Sequence, residues 1–469
     1  MIAKIVNFKN LLLYTVILVF LGSCGNSGNG QLIGVQDRED WYQPDPFGML
    51  FIPMGAYNMG VSDQDVPYAQ LAQSKTVSIQ AFYMDETEIT NNEYRQFIYW
   101  VRDSLAHVLL GDADDPDVLG EHYISDRNGD PIEYGDQLPY FRIEWRERIN
   151  WDEEEVQLIL EDPNDGLFLP EHERFYRRKQ IDSRKLNFEY SWIDFREAAS
   201  KELEGNLSDG TGRHYRPQGL KDRSVYIKKD IINVYPDTLS WVHDFSYSFN
   251  EPMTQNYFWH PAYDNYPVVG VSWKQARAFC IWRTILIDSY LEERDESYWN
   301  DYRLPTEAEW EWAARGGLDL NPYPWGGPYI RNSNGCFLAN YKPLRGNYID
   351  DGGLHTIVVA HYAPNDWGLY DMAGNVAEWT SDAFNESTYN FSHDLNTQYS
   401  HETSENDHYV LKRKVIRGGS WKDIGFYIRT GTRSYEYEDT AKCYIGFRCV
   451  QTYLGRAKGD GPNASNVYH

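Results

Sequence analysis

Residues 46–60, PFGMLFIPMGAYNMG, alternate apolar side chains with glycines and turn residues, a pattern that predicts short strands. TVSIQAFYMDETEIT (76–90) continues it. At Thr90 the period changes. TNNE reads as a capping box, in which the Thr90 hydroxyl accepts from the Glu93 amide and the Glu93 carboxylate reaches back. Tyr94, Phe97, Ile98, Val101 and Leu105 then fall on one face at helical spacing, so the helix is expected to pack on a core. Order of the same kind returns at YPVVGVSWKQARAFCIWR (266–283). Val268–Val271 predicts a buried strand, SWKQ (272–275) a second box, and Ala276, Phe279, Cys280 and Arg283 a helix. In RLPTEAEWEWAARGG (303–317), Thr306 and Glu309 form a third box, Trp310, Ala313 and Ala314 the buried stripe, and Gly316-Gly317 the stop.

Between these ordered parts, residues 106–255 are charged, with clusters DADDPD (112–117) and WDEEE (151–155) and a basic counterpoint, RFYRRK (174–179). Strand-like pieces lie in SVYIKKDIINVYPDTLSWV (224–242). The segment reads as a long insertion with its own local structure. Its mixed charge marks a solvated face, and its length makes it the natural place for a partner-specific surface.

Composition narrows the picture. The 469 residues allow two or three average domains, or one large domain with insertions. With 16 Trp, 37 Tyr and 20 Phe beside 36 Gly and 21 Pro, a loop-heavy fold is expected rather than a helical bundle. The formal charge of −26 repels phosphate backbones, so nucleic acid is not an expected partner. A soluble acidic surface, a basic protein partner or bound calcium remain open.

The chain starts with Lys4 and Lys9 ahead of LLLYTVILVFL (11–21), an apolar run too short to span a bilayer but suited to a signal peptide. It ends in LGSC (21–24), the order of a bacterial lipobox, which predicts cleavage before Cys24 and acylation of its sulfur. Several acyl chains give stable anchoring where one does not. The expected organisation is a signal peptide (1–23), a tether (24–45), one domain (46–452) interrupted at about 106–255, and a flexible tail (453–469). Four further cysteines, Cys280, Cys336, Cys443 and Cys449, are an even number in an exported chain and suggest two disulfides; three pairings are open.

The words RLPTEAEWEWAARGG, YPWGGP (323–328), GCFLAN (335–340), PNDWGLYDMAGNVAEWTSD (364–382), RGGSW (417–421) and IGFRCV (445–450), in this order, resemble the formylglycine-generating enzyme (sulfatase-modifying factor) family. The resemblance implies an α+β, variant C-type-lectin-like fold, low in regular secondary structure. Within the family, FYMDETEITNNEYRQFIYWVRDS (82–104), SYSFNEPMTQNYFWHPAYDNYPVVGVSW (246–273), YPWGGPYIRNSNGCFLANYKP (323–343) and RGGSWKD (417–423) are similar to the GldK/PorK-type lipoproteins of the Bacteroidota type IX secretion and gliding machinery. That implies a lipid-anchored protein on the periplasmic face of the outer membrane, self-association into a ring, and a GldN/PorN-type periplasmic partner.

The oxidising enzymes of the family hold copper with two cysteines shortly after RGGS. Here the segment is RGGSWKDIGFYIRTGTR (417–433), Asp423 stands where the first would fall, and no cysteine lies between Cys336 and Cys443. A carboxylate and an isoleucine cannot replace thiolates toward Cu(I). Neither copper nor iron is expected, since the histidines lack helical ligand spacing, and no Ser nucleophile elbow or P-loop is present. The expectation is therefore a non-enzyme. Arg303, Arg315, Arg417 and Arg448 are expected to satisfy buried carboxylates and carbonyls, and Lys422, Asp423 and Tyr427 to serve as contact surface.

The resemblance further implies structural calcium at one or two sites. One would use Asp371, the main chain at Gly374 and Val376, and Glu378; the other Asn340, the Tyr341 carbonyl, Asp351 and the Gly353 carbonyl. It also pairs Cys280 with Cys449 by the words AFC and GFRC, which leaves Cys336 with Cys443. The first bond would close a loop of about 170 residues and contribute a few kcal/mol. Two other readings are open: a metalloenzyme of the same superfamily with an unrecognised site, and a lectin-like glycan or peptidoglycan binder.

Overall fold

The three capping boxes form and start the three long helices. In α1 (Asn91–Gly111) the Glu93 amide donates to Thr90 Oγ1 at 3.3 Å and the Thr90 amide to Glu93 Oε2 at 2.8 Å. Ser272 and Gln275 do the same for α2 (Trp273–Glu292), and Thr306 and Glu309 for α3 (Glu307–Arg315). Helix α3 stops at Gly316 with φ 58°, a left-handed cap that glycine adopts without a Cβ clash. The computed structural model describes residues 43–61, 74–113, 121–126, 128–133, 141–162, 166–194, 226–244, 252–345, 347, 349, 352–403 and 406–455. The signal peptide, Cys24, nearly all of the tether and the tail, and Asp351 lie outside them.

Short strands complete the α+β architecture. The apolar alternation of 46–60 yields β1 (Met49–Ile52) and β2 (Gly55–Met59), and that of 76–90 yields β3 (Lys75–Ile79) and β4 (Phe82–Asp85). Further along lie β5 (Asn187–Ile193), β6 (Ile227–Asn233), β7 (Tyr302–Arg303), β8 (Ala377–Ala383), β9 (Arg413–Arg417), β10 (Ser434–Tyr437), β11 (Ile445–Gly446) and β12 (Val450–Thr452). One antiparallel sheet has the order β1-β4-β12-β7, joining both ends of the described unit. A second, β10-β9-β8-β11, is antiparallel except for β11 beside β8. β2–β3 and β5–β6 form two-stranded antiparallel pairs.

The largest core cluster joins α1 and α2. Tyr94, Phe97, Ile98 and Val101 meet Ala276, Phe279 and Cys280, with the Phe97 and Phe279 rings edge-on at 5.8 Å; Leu105 is only partly buried. Trp310, Ala313 and Ala314 of α3 pack with Ile52, Tyr57, Val77 and Met84 in a second cluster.

Two expectations change. Val268–Val271 is buried but is not a strand: Gly270 has φ 74°, and the segment bonds instead through Val268 N to Ile89 O (2.8 Å) and Gly270 N to Lys442 O (2.9 Å). Nor does the 106–255 segment stand apart with only a solvated face. Leu186, Phe188, Tyr190 and Val234 belong to the main core, and Tyr94 Oη donates to Val234 O at 3.0 Å. His107 of α1 and His122 lie buried with Nδ1 atoms 2.8 Å apart, and burial pushes His107 down to about 4.

The loops are held by buried guanidinium groups, as the four arginines suggested. Arg448 grips Glu378 with Nε and Nη2 at 2.7 and 2.6 Å, and its remaining donors reach the carbonyls of Asp85 and Tyr370. Arg303 grips Glu309 at 2.7 Å through both Nη atoms. Arg315 holds Glu311 one turn back on α3 and the Gly60 carbonyl (2.7 Å). Arg417 bridges Glu307 and Glu311 and donates to Thr430 O at 2.6 Å. A fifth, Arg433, clasps Glu307 at 2.6 and 2.9 Å. Removing one member leaves a buried charge short of its partner, so Arg417→Met is expected to lower stability by about 3–5 kcal/mol. Urea unfolding of the two proteins measures it, and a loss below about 1 kcal/mol would show that Arg417 is not what holds this segment.

Candidate functional site

The segment 417–433 leaves β9 through two glycines. Gly418 (φ 85°) passes the Trp310 ring, which an added Cβ would meet at 3.1 Å. At Gly419 (φ 64°) an added Cβ would come within 2.7 Å of the Tyr427 carbonyl oxygen. The next turn is closed by Asp423. Its Oδ2 accepts from the Ser420 hydroxyl at 2.6 Å and the Ser420 amide at 2.9 Å, and its carbonyl accepts from Lys342 N at 2.8 Å. Trp421 is buried, stacked on Trp241 at 5.9 Å, and its amide donates to Asn375 O. Of the two isoleucines that follow Asp423, Ile428 is fully buried among Tyr323, Phe337 and Tyr341. Lys422 and Tyr427 are exposed as expected of contact surface. Asp423 is not: it is half-buried and committed to the turn.

Two neighbouring words meet beside this segment. Asn375 N donates to Asn340 O at 2.8 Å, and Gly374 N to Gly418 O at 3.0 Å. Gly374 (φ 79°) lies so close that an added Cβ would sit 2.3 Å from Asn340 O. Asn340 Nδ2 donates to His355 O at 2.7 Å, and its Oδ1 faces the loop at Gly352, 3.8 Å from where a Cβ would stand. Buried Asp371 has φ 57°, and its Oδ2 accepts from Ala360 N at 2.7 Å. Glu378 lies under Arg448, and its Oε2 also accepts from Trp310 Nε1 at 2.7 Å.

With this geometry in view, comparison with known proteins is decisive at the family level. Residues 39–154 and 223–453, well over half of the chain, match the family described as the sulfatase-modifying factor enzyme 1-like domain. The chain belongs to the sulfatase-modifying factor family. It is 34% identical over 201 residues to the "Inactive C-alpha-formylglycine-generating enzyme 2" of Bos taurus, covering 42% of this chain and 53% of that protein. It is also 34% identical over 192 residues to the "Formylglycine-generating enzyme" of Streptomyces coelicolor, covering 40% and 52%. The chain thus spans about half the length of these relatives. The solved structure of PvdO from Pseudomonas aeruginosa is similar at 16% identity and a TM-score of 0.42, covering 88% of this chain and 98% of that one.

Both active and inactive members are therefore among the relatives of this sulfatase-modifying factor chain. The donor set at Asp371 is all oxygen, as a hard cation requires. Its charge balance also fits one. Glu88, Asp371 and Glu378 are buried together with Arg448 as the guanidinium among them. Burial, and then the charges of Asp371 and Glu378, push Glu88 well above the usual carboxylate range; burial, opposed by Ala360 N and Arg448 and aided by Glu378, pushes Asp371 up to about 6. Glu378 fits less well, since Arg448 and Trp310 already hold it. Among the described residues no three His, Cys, Asp or Glu side chains are arranged as a metal cage, so main-chain oxygens at Gly374 and Val376 would have to complete the set.

Glu88 is the residue that sequence reasoning missed. It accepts from Asn375 Nδ2 at 2.6 Å and Val376 N at 3.1 Å, across more than 280 residues of sequence. Its word, DETEIT, carries a strand end and a helix cap, and no local signal joins it to the DMAGN loop.

The structure has no disulfide among the described residues. Cys280 and Cys449 are buried thiols with Sγ atoms 3.5 Å apart, and burial with the neighbouring Cys280 pushes Cys449 well up. The second pairing is not formed: Cys336 is exposed in a turn capped by Asn332, whereas Cys443 is buried beside Trp421 and Val376.

Asp382, buried beneath α3, accepts from Glu307 N at 2.5 Å and Tyr399 N at 2.7 Å. Burial, reinforced by the Glu307 charge, raises it to about 7. A raised folded value means that its contribution to stability is present below about pH 4 and lost as pH rises through 7. Relative to Asp382→Asn, the native chain should therefore lose about 3 kcal/mol between pH 5 and 8. Paired urea titrations at both pH values read the difference; parallel pH profiles would mean that Asp382 is ionised throughout.

Proposed function

We propose that this chain is a non-catalytic structural lipoprotein of the type IX secretion and gliding machinery. In this reading it is acylated at Cys24, held at the periplasmic face of the outer membrane, and built into a ring-like scaffold with a GldN/PorN-type partner. The observation that carries the non-catalytic part is Asp423. At the position where the oxidising enzymes of the family place a copper thiolate, this chain has a carboxylate whose oxygen is already spent on the Ser420 turn. The remaining frame, Arg417, the glycine pair and Trp421, serves packing. The placement at the outer membrane rests on the lipobox LGSC and on the GldK/PorK-type words.

Structural calcium is part of the same proposal. It would be held by Asp371 with the Gly374 and Val376 main chain, and by Asn340 and Tyr341 with Asp351 and Gly353, locking loops rather than supplying chemistry. Ion binding to the folded state alone stabilises it by mass action. The melting temperature is therefore expected to fall by several degrees in EGTA and to recover with added calcium, and elemental analysis is expected to find calcium without copper or iron. An unchanged melting temperature with no bound metal refutes the calcium sites.

The scaffold reading is tested at the anchor. Cys24→Ala is expected to move the protein from the membrane fraction to the soluble periplasm and to stop secretion of type IX substrates. Normal secretion by cells carrying only the soluble variant would count against a scaffold fixed at the membrane.

A further inference from the structure

The segment between α1 and α2 carries a surface element whose chemistry departs from the acidic chain around it. Phe175 and Tyr176 are 68% and 81% exposed, and their rings pack edge-on against each other at 4.4 Å. Tyr176 (φ 49°, ψ 33°) and Arg177 (φ 55°) are both in the left-handed region, which residues with a Cβ avoid. Two successive residues of this kind make a sharp turn that keeps the ring pair off the fold. Of the basic residues around it, Arg174 is tied to the Leu169 carbonyl (2.7 Å) and Lys179 to Glu161 (2.6 Å). Arg177 and Arg178 are exposed and have no ion-pair partner among the described residues.

Two adjoining aromatic rings flanked by two uncommitted guanidinium groups are the residue types that dominate interface energetics. We propose that this prong docks onto the acidic surface of a second copy of this chain. The inference rests on the scaffold reading and names its contact. The complementary surface comes from the chain itself, which carries 70 acidic against 44 basic residues, so each copy offers carboxylates to Arg177 and Arg178 of its neighbour. A prong on one copy against a different surface on the next is a heterologous contact, the kind that propagates and can close into a ring.

Sedimentation velocity of the full chain in detergent tests this at low and high salt. The native chain is expected to associate at low salt and to dissociate at high salt, because the contact is partly ionic. Phe175→Ser/Tyr176→Ser and Arg177→Glu/Arg178→Glu should each raise the concentration for half-association at least about tenfold. Their melting temperatures should stay native, as all four side chains are exposed. Native-like association of both variants would overturn the prong contact and leave the scaffold reading standing. A native chain that stays monomeric at low salt would overturn the contact and remove the self-association on which the scaffold reading draws. Binding of the native chain to phosphatidylglycerol vesicles, lost in the Arg variant while association persists, would reassign the prong to lipid.

Discussion

The guanidinium of Arg417 lies between Glu307 and Glu311, fully out of water, and most of the loop structure depends on that contact and its relatives. Helix α3 is only nine residues long, and three of its glutamates are buried. An isolated buried carboxylate would be protonated or expelled. Here each is met by an arginine from a different part of the chain: Glu307 by Arg417 and Arg433, Glu309 by Arg303, Glu311 by Arg315 and Arg417. The spare donors of the same arginines then satisfy carbonyls of Gly60, Asn321, Asn385 and Thr430. A chain with few long strands cannot pair its loop carbonyls in ladders, and a buried unpaired carbonyl is costly. Planar five-donor side chains are a way to pair them.

The same contacts fix segment 417–433 at both ends. Arg417 anchors the start of the segment and Arg433 its end, both on Glu307. Gly418 and Gly419 are required by Trp310 and by the Tyr427 carbonyl. None of these constraints involves position 423, whereas Ile428 Cγ2 would lie 3.0 Å from a Cβ added at Gly419. Asp423 therefore caps Ser420 without touching the anchors, and Ile428 fills the cluster around Tyr323 while also crowding the Gly419 turn.

What the sequence made legible was local or forked. The capping boxes at Thr90, Ser272 and Thr306 depend on four consecutive residues, and all three form. The arginine roles followed from the donor geometry of the side chain itself. Less accessible were features set by distant partners. Val268–Val271 has strand composition, but Gly270 bends it toward Lys442 and Asp237. The alternation in NFEYSWI was obscured by the charge around it, yet it places Phe188 and Tyr190 in the main core. Glu88 was the hardest, because its role exists only after β4 and the DMAGN loop are brought together.

The same balance sheet of charge locates where the acidity of the chain must act. Around α3 the buried carboxylates are matched by arginines, so that region adds little to the net charge. Exceptions among the described residues are Asp382, held by two amides and in no ion pair, and the trio Glu88, Asp371 and Glu378 around the single guanidinium of Arg448. Over the whole chain, acidic residues outnumber basic ones by 70 to 44. A surface of one sign resists self-contact unless some element of opposite sign is carried with it. In this fold such an element has to sit away from the arginine-consuming core. A turn in the segment between α1 and α2 meets that condition, because Arg177 and Arg178 there are exposed and in no ion pair among the described residues.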